Sequence, residues 1–185
     1  MEFFLISINP IDVFLWTFRK NERDVVNLYN TMSPVMQIAT GGSMLNFGYW
    51  SSEHLDPISA QENLCNIFGN LSELSTAKTV LDVGSGLSAP SKLWRDSYPD
   101  LNLYDVNINF KQLSFLKDTK NIEFLNSTST KLPFMDNSVD RVLALESAQH
   151  FKPLEDFISE SKRVLMKSGF LIMAVPITLK NSSIS

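Results

Sequence analysis

From Thr79 onward the chain alternates two kinds of apolar pattern, and this alternation constrains its fold more than any other feature. Five short runs read as strands: "TVLDV" (79–83), "LNLYDVN" (101–107), "IEFLNST" (122–128), "VDRVLALES" (139–147) and "GFLIMAVPI" (169–177). Between them lie helix-like segments, chiefly "APSKLWRDSY" (89–98), "NFKQLSFLKD" (109–118) and "PLEDFISESKRVLM" (153–166). In the last of these, Leu154, Phe157, Ile158, Val164 and Leu165 recur at helical spacing, and Gly169 reads as the stop signal. Successive parallel strands need crossovers, and a right-handed helical crossover is the usual solution. The expected architecture is a doubly wound α/β domain with a mostly parallel sheet.

Ahead of the sheet, residues 11–33 and 57–74 read as helices separated by the loop "ATGGSMLNFGYWSS". The Gly41–Gly42 pair marks a turn, and the aromatic group Phe47, Tyr49 and Trp50 calls for burial. The expected division is a helical lead-in and cap over 1–75, a ligand-binding α/β domain over 76–178 and a polar tail over 179–185. The start, "MEFFLISINPIDVFLWTF", is apolar, but Glu2, Pro10 and Asp12 interrupt it short of the roughly 20-residue spanning run. It also lacks the basic start and small-residue cleavage site of a signal peptide. Packing on the domain or on a partner is expected there in preference to membrane contact.

A chain of 185 residues, 44% apolar, suits one soluble domain with a sizeable core. Its 16 basic and 20 acidic residues leave a net charge of −4, which gives no broad attraction to nucleic acid or anionic lipid. The single cysteine, Cys65, has no disulfide partner in the chain and no metal-ligand spacing around it, so a reducing compartment, the cytoplasm, is the simplest expectation and no metal is expected.

In a doubly wound sheet, ligands bind beyond the carboxyl ends of the strands where the strand order reverses, next to the first strand. "TVLDVGSGLS" (79–88) runs into that point. Gly84 and Gly86 lack a β-carbon, so the chain can turn sharply and bring backbone N–H groups to a ligand, with a helix start behind them. Alone, such a loop is also compatible with a tight strand-to-helix connection.

The stretch resembles the first motif of class I S-adenosylmethionine-dependent methyltransferases, "VLDVGxGxG", with Asp82 at its acid. Downstream, in order, "DVNINFKQL" resembles the second-strand motif, "STSTKLPFMDNSVDRV" the acid-plus-"LPF" segment, and "RVLMKSGFLIMA" the "RVLKPGGxL" segment. "MLNFGYW" and "ESAQHF" resemble the small-molecule branch, the type 11, sterol and natural-product enzymes. The likeness covers about residues 25–176. It implies a Rossmann-like fold, S-adenosylmethionine as cofactor and methyl transfer to a small molecule.

The resemblance implies a role for each matched position. Asp82, Gly84, Ser85 and Gly86 would approach the methionine part of the cofactor. Asn107 stands where the family carries the acid for the ribose hydroxyls, with Asp105 on the same strand face; a strand-ending Asn that starts a turn is the other reading. Thr128 stands where an acid would meet the adenine amino group, Ser129 would offer its N–H to the ring, and Leu132 and Phe134 would cover adenine or pack in the core. His150 follows the fourth strand and would serve as general base, with Glu146 orienting substrate or closing the cofactor site. O-methylation is therefore favoured over transfer to carbon or nitrogen.

The chain departs from the pattern at Ser88, which replaces the third glycine and would cap the following helix, and at Asn107, Thr128 and Val175. Family members continue through two further strands, so the resemblance implies a C-terminally shortened sheet whose fifth strand is an open edge, available to a homodimer or another partner. The alternative function is a catalytically inactive module that keeps the fold and binds partners.

Overall fold

The computed structural model of the chain describes Ile11, residues 21–116 and residues 120–177. The apolar start, the polar tail and the end of the helix expected over 109–118 lie outside the described residues.

Helix α1 (Glu22–Thr40) begins at a reciprocal cap: the Asn21 side chain accepts from Asp24 N–H at 3.2 Å, and the Asp24 carboxylate accepts from Asn21 N–H at 3.3 Å. It runs through Pro34, where the sequence pattern stopped at 33, and ends at Gly41 in the left-handed region (φ 75°). Helix α2 (Pro57–Leu71) follows, capped by Asp56 with proline in its first turn. Between them, Phe47, Tyr49 and Trp50 remain 63, 56 and 53% exposed, against the burial expected of them. Tight contact at Gly48 holds this loop on α2: a β-carbon there would lie 2.8 Å from the Ala60 carbonyl carbon.

The sheet contains β1 (Thr79–Val83), β2 (Asn102–Asn107), β3 (Ile122–Asn126), β4 (Val139–Leu145) and β5 (Leu165–Ala174), in the order β3-β2-β1-β4-β5, all parallel. Helix α3 (Ala89–Ser97) joins β1 to β2, the short α4 (Phe110–Ser114) follows β2, and α5 (Leu154–Val164) joins β4 to β5. Side-chain alternation along the strands builds two cores. On one face, Val80, Leu103, Leu143 and Leu145 pack with Cys65 and Phe68 of α2 and Trp94 of α3. On the other, Leu81, Val83, Val142 and Ala144 pack with Phe157 and Val164 of α5.

Two expectations about α5 change. Its buried stripe is Phe157, Ser161 and Val164, while Leu154 and Ile158 stay 38 and 43% exposed. The helix also passes directly into β5 at Leu165, so Gly169 is not its stop but lies inside the strand. There the β4–β5 register shifts between Val139 and Arg141, and a β-carbon on Gly169 would lie 2.8 Å from the Asp140 carbonyl oxygen. Among the described residues β5 is a sheet edge, as the pattern implied.

Candidate functional site

Strand order reverses between β1 and β4, and the carboxyl ends of β1, β2 and β4 open there into a cleft. Asp82, Gly84, Ser85, Gly86, Asn107, Ser129, Glu146 and His150 all line it, so the fold brings eight of the nine expected site residues together. The ninth, Thr128, is not in the wall, although its neighbours Ser127 and Ser129 are.

The glycine loop is held from within. Gly84 (φ 80°) donates its N–H to the Val106 carbonyl at 2.7 Å, and Ser85 N–H reaches the same oxygen at 3.4 Å. A β-carbon on Gly84 would meet Ser147 Cβ at 2.5 Å, so this glycine is demanded by packing between the β2 and β4 ends, and its amide is spent inside the protein rather than offered to a ligand. Gly86 (φ 57°) is less confined: its β-carbon would meet only the Leu45 side chain, at 3.1 Å. Ser85 lines the cleft, and its hydroxyl is buried without a hydrogen-bond partner. Ser88 takes the cap position of α3 in the left-handed region (φ 61°), but its hydroxyl makes no cap bond.

Behind the loop lies a pair of buried acids. Asp82 and Asp105 face each other across β1 and β2, and the Ser91 hydroxyl reaches Asp82 Oδ2 at 3.2 Å and Asp105 Oδ1 at 2.6 Å. Burial, then the charge of Asp105, pushes the Asp82 carboxyl well above the usual carboxylate range; burial raises Asp105 to about 6, opposed by the hydroxyls of Ser88 and Ser91 and by Lys92. A neutral carboxyl beside a charged one is the arrangement these opposing effects favour.

At the end of β2, the Asn107 carboxamide is committed to its surroundings. Its Nδ2 donates to the Gly86 carbonyl at 3.0 Å and to Gln112 Oε1 at 2.9 Å, while its Oδ1 accepts from Asn109 N–H at 3.0 Å. This amide network continues onto α1: Gln112 donates to Ser33 Oγ at 2.8 Å, and Asn109 donates to Asn30 Oδ1 at 3.1 Å. Thr128, at the end of β3, hydrogen-bonds the Glu22 carboxylate, itself a cleft residue. Leu132 and Phe134 belong to the core, with Phe134 edge-on to Tyr104 at 5.1 Å, and neither lines the cleft; they pack rather than cover a ligand.

Glu146 sits just past β4 with φ 50°, a left-handed conformation uncommon for a residue with a side chain. Its carboxylate accepts from Phe47 N–H at 2.7 Å and so fastens the loop between α1 and α2 to the sheet; burial raises its pKa, partly offset by that bond. His150 closes a 3₁₀ turn (Ala148–His150), and its Nε2 lies 2.9 Å from the Tyr29 hydroxyl. Tyr29, Glu22 and Gln112 were not legible as site residues, because each comes to the cleft through tertiary packing rather than through a local motif.

Among the described residues no helix is long and apolar enough to cross a membrane, and no cluster of His, Cys, Asp and Glu is arranged to hold a metal. The chain is 26% identical over 90% of its length to erythromycin 3''-O-methyltransferase of Saccharopolyspora erythraea, and 27% identical over 71% of its length to 27-O-demethylrifamycin SV methyltransferase of Amycolatopsis mediterranei. It spans 57% and 51% of those two proteins. Among solved structures it resembles the cyclase SpnF, with a TM-score of 0.76 and 21% identity over 83% of this chain and 60% of that one, which shows the fold. Residues 81–173, half of the chain and the sheet from Leu81 to Met173, match the methyltransferase domain model, and the chain belongs to that family.

Proposed function

We propose that the chain binds S-adenosylmethionine in this cleft and transfers its methyl group to a hydroxyl of a small, largely apolar molecule, with His150 as the base. The observation that carries this reading is the cleft itself: the glycine loop, with its buried and unpartnered Ser85 hydroxyl, faces His150 and Glu146 across one opening. In this reading residues 76–178 form the cofactor-binding domain, and the described residues ahead of them cap the cleft.

The residues present fit the cofactor in kind. Ser85 Oγ offers an unused hydroxyl to its amino-acid part, and the second lone pair of Asn107 Oδ1 is available to a ribose hydroxyl. Val25, Leu87 and Ile108 supply apolar wall. When bound, the cofactor supplies an activated methyl group on a sulfonium. The chain itself orients the acceptor, excludes water and takes the hydroxyl proton at His150. Glu146 contributes by holding the loop at Phe47 over the cleft.

A hydroxylated acceptor is supported by the names of two relatives, an erythromycin 3''-O-methyltransferase and a 27-O-demethylrifamycin SV methyltransferase. Association through the β5 edge, which the other described strands leave unpaired, is part of the same proposal. The alternative of a catalytically silent module finds no support in the comparisons. The test is calorimetric titration of the folded chain with S-adenosylmethionine and S-adenosylhomocysteine, with its oligomeric state checked in parallel, then a screen of hydroxylated acceptors with methyl-labelled cofactor. Saturable binding and label transfer are expected; a well-folded chain that binds neither compound would defeat the proposal and favour the silent module.

A further inference from the structure

Helix α1 brings an acid into the cleft that the protein itself does not use up. Three carboxylates line the opening, those of Glu22, Asp82 and Glu146. Asp82 is buried and shares the Ser91 hydroxyl with Asp105, and Glu146 accepts from Phe47 N–H at 2.7 Å. Glu22 stands exposed in the first turn of α1, and the one bond of its side chain among the described residues is to the Thr128 hydroxyl, which reaches Oε1. The Thr128 oxygen in turn accepts from Thr130 N–H at 3.4 Å and lies 3.2 Å from Thr130 Oγ1, so its own proton is left to point at Glu22. Held by one oxygen, Glu22 keeps the other for a ligand.

The strand order decides which part of the cofactor Glu22 would meet. In S-adenosylmethionine the ribose lies between the amino-acid part and the adenine. With the amino-acid part at Ser85 after β1 and the ribose at Asn107 at the end of β2, the base falls at the end of β3, the next strand outward. That end is fastened to β2: Asn126 Nδ2 donates to the Asn107 and Ile108 carbonyls at 2.8 and 3.0 Å, and Ser127 N–H donates to the Asn107 carbonyl at 3.3 Å. Ser127, Ser129 and Ile108 line the cleft from the strand ends, and Val25 lines it from α1, one turn along from Glu22. Adenine carries its N–H donors on the 6-amino group and acceptors on its ring nitrogens, so a carboxylate complements the amino group.

We infer that Glu22 reads the base of the cofactor by accepting a hydrogen bond from the adenine 6-amino group, and that Thr128 positions Glu22 to do so. This rests on the proposed S-adenosylmethionine site. Thr128, expected to meet the adenine itself, acts instead through an acid supplied by the helix ahead of the sheet.

The test is calorimetry of the full chain with two probes, S-adenosylhomocysteine and its analogue in which hydrogen replaces the 6-amino group. Wild type should bind the analogue about 10- to 100-fold more weakly, the loss of one hydrogen bond to a charged group. Glu22→Ala should bind S-adenosylhomocysteine more weakly by a similar factor, yet bind the analogue within about threefold of wild type, because the lost bond is counted once in such a cycle. Glu22→Gln, which keeps an acceptor oxygen, should recover part of the affinity. Thr128→Val should weaken S-adenosylhomocysteine by a smaller factor and leave the analogue unaffected. Equal binding of the two probes by wild type overturns the inference while leaving the cofactor site standing. So does a Glu22→Ala chain that loses both probes alike, since that is the mark of a helix merely loosened. A folded wild-type chain that binds neither probe defeats the reading of the cleft and this assignment with it.

Discussion

Asp82 and Asp105 stand opposite each other on neighbouring strands and share the hydroxyl of one serine, Ser91, at 3.2 and 2.6 Å. Both carboxyls titrate above their ordinary value, Asp105 near 6, because burial penalises their charged forms. An acid whose folded pKa is raised binds more protons folded than unfolded, so stability falls as pH rises between the two values. The melting temperature of the wild-type chain should therefore decline from about pH 4 through pH 6 and beyond. Asp105→Asn removes one of the two charges and should flatten that decline, gaining roughly 1–3 kcal/mol at pH 8. Thermal melts of both proteins across the pH range check this; an equal slope in the two would refute it.

The two glycines of the loop should fail in different ways. Gly84→Ala forces a β-carbon against Ser147 at φ 80° and should cost roughly 2–4 kcal/mol of folding stability. Gly86→Ala presses only on the movable Leu45 side chain, so it should keep most of the stability while weakening cofactor affinity about tenfold or more. Denaturant melts paired with calorimetry separate the two outcomes.

Restoring an acid at the end of β2 should do harm. Asn107 donates to the Gly86 carbonyl and to Gln112 Oε1, and an aspartate there would set a carboxylate against both acceptors. Asn107→Asp should lose about 1–3 kcal/mol of stability and should not tighten cofactor binding. A gain in affinity would mean that the amide network rearranges around the new charge.

Glu146 is expected to govern the loop between α1 and α2. Glu146→Ala leaves the Phe47 N–H without its acceptor, whereas Glu146→Gln keeps an oxygen in reach. Hydrogen exchange at Phe47 should speed up by roughly 10- to 100-fold in the alanine variant, in line with the loss of a bond to a charged group worth about 1.5–3 kcal/mol, and return toward wild type in the glutamine variant. Equal exchange in all three proteins would remove Glu146 from this role.

What the sequence displays and what it hides follow from the range of each interaction. The parallel sheet was legible because strands buried on both faces need continuous apolar runs, and His150 and the glycine loop were placed correctly at its carboxyl end because each directly follows a strand. Gly169 misled because a helix stop and a bulged strand both use glycine, and only contact with the Asp140 carbonyl distinguishes them. Phe47, Tyr49 and Trp50 suggested burial by composition, yet Gly48 pins their backbone to α2 with the rings outward. Asn107 stands at the ribose position of the motif, and nothing local in the sequence shows that its amide nitrogen is also tied to Gly86 and Gln112 as part of the scaffold. Tyr29 gave no local sign at all, since its meaning comes from an imidazole 121 residues away.

Helix α1 is fixed to the rest of the molecule by a polar seam. Leu28 is its one buried apolar side chain among the described residues, while Glu22, Tyr29, Asn30 and Ser33 hold Thr128, His150, Asn109 and Gln112. Water can replace hydrogen bonds of this kind at a net cost of only about 0.5–1.5 kcal/mol each, but it cannot replace buried hydrocarbon. The helix can therefore unzip from the strand ends without disturbing either core. Any molecule that holds it shut is linked thermodynamically to that closure: its affinity includes the free energy of zipping the seam, and its dissociation rate is capped by the rate at which the seam reopens.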